Sequence, residues 1–206
     1  FSTMLDGAKC KIPVSTPDII TNKVIDYFPC IFISWKPVSL PRIQGTTMKR
    51  IVPFEPKQVI YHCRTPKPEI DSKYGANHVS LNDLCTKSDI LIVICSLNPT
   101  TKHIISHKEF GMMKKTSYII NTSRGSVIDQ AALYQALQTG QIAGAGLDVL
   151  EKEPTPLDDP LLKLPNCLIL PHVGSATKTT REAMVLLSIE NAILGIQNLP
   201  LKAQIP

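Results

Sequence analysis

A chain of 206 residues, 43% hydrophobic and 19% charged, has apolar material for one good core or two modest domains. Its net charge of +5 is scattered, the densest basic pairs being Lys49-Arg50 and Lys114-Lys115, and with few aromatics and no basic run it argues against nucleic-acid binding. No apolar run approaches the ~20 residues that span a bilayer and no signal peptide is visible, so no membrane partner is expected.

The chain opens on Phe1, the start expected of a fragment or a processed form. Seventeen prolines crowd the first third and residues 154 to 171, so the first third is expected to be rich in loops. Residues 1 to 38 carry apolar side chains without a clean period. From about residue 57 short apolar runs alternate with helical ones. Val59 and Ile60 lead into Tyr61-His62-Cys63-Arg64. DILIVIC (89–95), YIIN (118–121), AGLDV (145–149) and CLIL (167–170) follow. Such continuous apolar strands suit a sheet covered on both faces. Asp129 can cap a helix whose apolar face is Ala132, Leu133, Ala136 and Leu137, with Gly140 as its stop. Thr179 and Glu182 form a capping box for the last helix, whose Val185, Ile189, Ala192, Ile193 and Ile196 are expected to pack into the core. The alternation predicts an α/β fold with a mainly parallel, Rossmann-like sheet.

Six cysteines lie at positions 10, 30, 63, 85, 95 and 167, none in a CxxC pair. They read as reduced thiols of a cytoplasmic protein, not as staples or zinc ligands. His103 and His107 stand four apart in HIISH. That spacing suits two exposed histidines of one helix, and the general-base glutamate of a zinc protease is absent, so no metal is expected.

In open α/β sheets ligands bind beyond the carboxyl ends of the strands. YIIN leads into Thr122-Ser123-Arg124-Gly125, AGLDV into Leu150-Glu151-Lys152-Glu153-Pro154, and CLIL into Pro171-His172-Val173-Gly174. An arginine, a carboxylate and a histidine at three strand ends suit carbonyl reduction. Arginine can grip a substrate carboxylate with two parallel hydrogen bonds. Histidine can give a proton to the carbonyl oxygen as hydride arrives. A neighbouring carboxylate orients the ring and favours the imidazolium.

The stretches NTSRGSVIDQAALYQALQTGQIAGAGLDVLEKEP and LPNCLILPHVGSAT resemble the D-2-hydroxyacid dehydrogenase family, and within it the animal glyoxylate/hydroxypyruvate reductases. The resemblance runs from about Leu40 to residue 200 and is densest from Asp89 onward. It implies Arg124 for the substrate carboxylate, Glu153 as histidine partner and His172 as acid/base, at the family's spacing. Asp148 matches the residue that contacts the nicotinamide amide, and Ser96, Thr122 and Gly174 match further cofactor positions. FSTMLDGAK resembles the loop whose backbone N–H groups take the substrate carboxylate, with Asp6 and Gly7 at the binding positions. SWKP places Trp35 where a tryptophan would reach the active site of the other subunit of a homodimer. The implied division is a remnant of the substrate domain over 1–34, a dinucleotide-binding domain over 35–178 and a C-terminal helix and tail over 179–206. The implied substrate is a small 2-keto or 2-hydroxy acid.

Against the family pattern, SLPRIQ stands where a G-x-G-x-x-G loop belongs, with Ser39, Pro41 and Gln44 at the glycine positions. Pro41 has no N–H for a phosphate and fixes its own φ. Arg42 and Ile43 are kept, and Arg42 can still offer charge. Only Val38 fills the space of the strand that should precede this loop, so the first strand of the sheet is expected to be missing. Arg64, Thr65 and Lys67 follow the second strand where NAD-type sites carry an acid, which favours NADPH over NADH. Two readings follow: an NADPH-dependent reductase of glyoxylate or hydroxypyruvate, or a catalytically inactive, truncated relative with weak or no cofactor binding that dimerises with an intact paralogue.

Overall fold

The computed structural model describes residues 30–35, 47, 51–64 and 66–203, through the backbone alone at 30–35, 52 and 69. Its strands are β1 (Cys30–Trp35), β2 (Gln58–Cys63), β3 (Ala76–His78), β4 (Ile90–Val93), β5 (Tyr118–Asn121), β6 (Gly144–Leu147) and β7 (Cys167–Ile169). They form one seven-stranded sheet in the order β3-β2-β1-β4-β5-β6-β7, with every neighbouring pair parallel. The order reverses between β1 and β4, the switch point of a doubly wound dinucleotide fold.

The regular second half follows the sequence pattern closely. Val59, Ile60 and Tyr61 are buried in succession on β2, and Leu91 and Val93 on β4, as a sheet covered on both faces requires. The helices include α1 (Pro68–Tyr74), α2 (Leu81–Lys87), α3 (His107–Met112), α4 (Gln130–Gln138) and α5 (Lys178–Ile196). Asp129 caps α4, its Oδ1 accepting from the N–H groups of Ala131 and Ala132, both at 3.1 Å. Ala132, Leu133, Ala136 and Leu137 are buried as expected. Gly140, at φ 66°, takes the left-handed turn that ends the helix. Helix α2 packs on α3 and α3 on α4.

Three expectations are corrected. The first strand is not missing: Cys30–Trp35 occupies its place, pairing with β2 on one side and β4 on the other. The physical reason is the vacancy itself. Without a strand there, β2 and β4 would each leave a row of backbone groups unpaired, and CIFISW is rich in residues that favour strands. The strand therefore lies upstream of SWKP's last residues, and the expected boundary between residues 34 and 35 falls inside it.

The apolar stripe of α5 is not core. None of its residues is buried, and Val185, Ile189, Ile193 and Ile196 are 57%, 51%, 49% and 83% exposed. A helical stripe shows that a helix has an apolar face, not that a neighbouring layer is at hand. The cap of α5 also moves two residues towards the N-terminus: Thr177 Oγ1 accepts from Thr180 N–H at 3.3 Å, so the helix starts before Thr179.

A proline tests the central strand. Phe32 is registered against both Ile60 and Leu91, so Phe32→Pro should remove ladder hydrogen bonding in mid-sheet and destabilise the fold by about 3 kcal/mol or more. A thermal melt reads this directly, and an unchanged melt would place residues 30–35 outside the sheet.

Candidate active site

Each catalytic candidate is held by a polar tie, within its own strand-end loop at Arg124 and Glu153 and across two loops at His172. Asn121 closes β5 and is buried, 1% exposed. Its Oδ1 accepts from Ser123 N–H at 3.0 Å and from Ser123 Oγ–H at 2.8 Å, while its Nδ2 donates to Arg124 O at 3.0 Å. One amide thus folds the turn and leaves the Arg124 side chain exposed at the strand edge, with Nη1 donating to Ser123 O at 2.7 Å. Gly125 lets this turn press against the loop after β6. A Cβ there would come within 1.9 Å of Leu150 C and 2.0 Å of Leu150 O, both main-chain atoms.

Glu153 stands in that second loop. Its Oε1 accepts from Leu150 N–H at 3.0 Å, and its Oε2 lies 2.7 Å from His172 Nδ1. Burial pushes the Glu153 carboxyl up. The hydrogen bonds from His172 and the Leu150 N–H, with the charges of His172 and Arg124, outweigh that and hold it below its ordinary value. His172 has φ 52°, in the left-handed region, an uncommon conformation outside glycine and asparagine that recurs at functional sites. Glu153 fixes the tautomer: Nδ1 donates to the carboxylate, and Nε2 is the nitrogen left for a substrate.

Asp148, just past β6, is buried. Its Oδ1 accepts from Val173 N–H at 2.7 Å and its Oδ2 from Gly174 N–H at 2.8 Å. Ser96 and Thr122 are exposed beyond β4 and β5. Ser96 O accepts from Thr101 Oγ–H at 2.7 Å, and Thr122 N–H donates to Val93 O at 3.4 Å. Ser96, Thr122, Arg124, Asp148, Glu153, His172 and Gly174 therefore share one edge of the sheet. Arg64 and Lys67 follow β2, on the other side of the switch point. Arg64 is exposed, and Lys67 N–H donates to Tyr61 Oη at 2.7 Å. Burial pushes the Tyr61 phenol up to about 12, so it is neutral as it accepts this bond. Trp35 ends β1 opposite Cys63. Asp6, Gly7, Pro41, Arg42, Ile43 and Thr65 lie outside the described residues.

The HIISH pair is corrected. His107 opens α3, but His103 sits in the preceding turn at φ 51°, because Ile105 bridges to Ile128 and interrupts any helix between them. His103 Nε2 lies 2.8 Å from Glu151 Oε1 instead. Among the described residues no cluster of three His, Cys, Asp or Glu side chains could hold a metal. No helix among them is long and apolar enough to cross a membrane. Sequence reasoning missed Asn121 and Gly125 as organisers of the site, although both lie in NTSRGS. It also missed the exchange in which Glu151 N–H donates to Gln130 Oε1 at 3.0 Å and Gln130 N–H to Glu151 Oε1 at 3.3 Å.

Fold and site together define a dinucleotide-binding α/β domain with a histidine–carboxylate pair at its carboxyl edge. Residues 38–174 match the family model for the NAD-binding domain of D-isomer specific 2-hydroxyacid dehydrogenases. The chain belongs to that family. It is 43% identical over 168 residues to a human glyoxylate reductase/hydroxypyruvate reductase, covering 82% of this chain and 51% of that one. It is 45% identical over 160 residues to the mouse protein of the same name, covering 78% and 49%. The crystal structure of a glyoxylate reductase from Paecilomyes thermophila superposes with a TM-score of 0.73 at 36% identity, covering 85% of this chain and 52% of that one. The chain thus spans about half the length of the curated relatives it matches.

The Glu153 tie carries a pH signature. A carboxyl held below its ordinary value of 4.5 adds stability above that pH and loses it as pH falls through the lower folded value. Glu153→Gln should therefore lower the melting temperature most near neutrality, and progressively less as the pH drops below 4.5. Melts across that window check it; a gap that stays constant would show that the carboxylate adds nothing to the fold.

Proposed function

We propose that this chain works as a reductase of small 2-keto acids, glyoxylate and hydroxypyruvate foremost, with NADPH preferred over NADH. The observation that carries the reading is His172 Nδ1 at 2.7 Å from Glu153 Oε2, with Arg124 on the adjoining loop. Arg124 grips the substrate carboxylate. With Nδ1 committed to Glu153, His172 donates a proton from Nε2 to the keto oxygen. Glu153 balances the positive charge of the imidazolium and holds the ring plane. In the reverse direction Nε2 takes the hydroxyl proton back.

The exposed strand ends fit a nicotinamide dinucleotide. Ser96, Thr122 and Gly174 are unobstructed along one edge, and glycine at 174 keeps the main chain bare there. When bound, the cofactor supplies the hydride for the keto carbon. NADPH is favoured because β2 runs into Cys63-Arg64 with no acid and with Lys67 close behind, so Arg64 and Lys67 can meet a 2′-phosphate. Arg42 adds charge for the pyrophosphate, beside Pro41 and Ile43, and Thr65 completes the ribose end. Asp6 and Gly7 offer backbone N–H groups to the substrate, and Trp35 completes the site of the second subunit in a homodimer. The division into a substrate-domain remnant, a dinucleotide-binding domain and a C-terminal helix and tail from 179, with the first boundary moved ahead of β1, belongs to the same reading, as does a cytoplasmic location.

A second reading has its own support. Ser39, Pro41 and Gln44 replace the three glycines of the phosphate loop, and a proline there offers no N–H to a phosphate. On that reading the chain is a catalytically inactive relative that pairs with an intact paralogue.

Steady-state assays with hydroxypyruvate separate the two. The reductase reading expects turnover with a higher kcat/KM for NADPH than for NADH. It also expects His172→Gln to lower kcat by about 10²–10⁴-fold while NADPH affinity is kept. Absence of turnover in the unaltered, folded chain would favour the inactive relative.

A further inference from the structure

Asp148 is 8% exposed, and a carboxylate so buried is seldom found without partners. Both of its oxygens are engaged by main chain, Oδ1 by Val173 N–H at 2.7 Å and Oδ2 by Gly174 N–H at 2.8 Å. Its own N–H donates to Asn121 O at 3.0 Å, which ties the residue to the end of β5. Gly174 makes the approach feasible, since a Cβ there would stand 3.0 Å from Asp148 Oδ2. The residue immediately before this pair of N–H groups is His172, held at φ 52°. A non-glycine residue in the left-handed region stays there only while its surroundings impose it. Released, it would be free to relax to negative φ, a main-chain rotation that would carry the imidazole with it.

We propose that Asp148 is a positioning residue for proton transfer. Its carboxylate clamps the main chain at Val173 and Gly174, and this clamp keeps His172 in its left-handed conformation with Nδ1 on Glu153. The role rests on His172 being the acid/base and acts through the backbone. It is additional to contact with the cofactor, because the hydrogen bonds to the loop use one lone pair on each oxygen and leave the other free. Asn121, Asp148 and the 172–174 loop thereby form a chain of ties from the Arg124 turn to the His172 turn.

Two variants of the full chain test it. Asp148→Asn keeps the size but sets an NH₂ against one of the two amide N–H groups, where it cannot accept. Gly174→Ala keeps the carboxylate but pushes a Cβ against it. Each is compared with the unaltered chain by the amide resonances of Val173 and Gly174, by the long-range proton–nitrogen imidazole spectrum of His172, by kcat and KM for hydroxypyruvate, and by NADPH affinity. Both variants should move the two amide resonances and reduce the fraction of His172 with its proton on Nδ1. They should lower kcat about tenfold to a hundredfold when measured at saturating NADPH and hydroxypyruvate. An unaltered His172 spectrum in both variants overturns the proposal, and a loss of NADPH affinity beside that unaltered spectrum would mark Asp148 as a cofactor ligand alone. If Asp148→Asn does not fold, Gly174→Ala carries the same expectations. The imidazole spectrum decides the clamp whether or not the chain turns over, so an inactive chain sinks the reductase reading separately.

Discussion

Parallel pairing is the constraint on which the site depends. A parallel ladder points every strand the same way, so all seven carboxyl ends lie along one edge. Residues far apart in the chain meet there without any long-range design of their own. Arg124 follows β5, Glu153 lies in the loop after β6 and His172 lies beyond β7. The ladder holds only if its centre is filled, and Cys30–Trp35 fills it, hydrogen-bonded to β2 and β4 at once. Take that strand away and the sheet divides into β3-β2 and β4-β5-β6-β7, with the Arg64 end and the His172 end on separate pieces.

The strand ends bring the loops near, and a few polar ties, buried at Asn121 and exposed between Glu153 and His172, set their geometry. Asn121 shapes the Arg124 turn, Gly125 lets that turn lie against Leu150, and Glu153 reaches back to Leu150 N–H while taking His172 Nδ1. Buried polar groups must be paired, because an unpaired one costs about 1–3 kcal/mol. The Asn121 ties, which are buried, are therefore also stability terms that hold the Arg124 turn in place. His103–Glu151 and Gln130–Glu151 brace the same 150–153 loop from its outer side.

Much of this was legible in the residues. Continuous apolar runs marked β4, β5, β6 and β7, and Asp129 with its four buried partners marked α4, because periodicity and capping are local signals. The Arg124, Glu153 and His172 positions were legible because each follows such a run. What failed was decided by partners. CIFISW carried no period, and its place in the sheet comes from the gap between β2 and β4. The α5 stripe was plain, but the surface to cover it is not among the described elements, and the chain spans about half of its relatives. HIISH had helical spacing, yet the Ile105–Ile128 bridge broke the helix. The Asp148 clamp was invisible because its partners are backbone N–H groups 25 and 26 residues away, and main-chain groups leave no mark in a sequence.

The measurement that bears most directly on the account is a titration of the purified chain with NADPH, followed by nicotinamide fluorescence with a thermal melt alongside. A sheet with its centre filled and its strand ends open should bind saturably, and NADPH at a hundred times its Kd should add about 2.7 kcal/mol of stability and raise the melting temperature. A cooperative melt that NADPH leaves unmoved, with no saturable fluorescence, would contradict the account: the fold would stand, and the Arg124–Glu153–His172 edge would have no hydride donor to work with.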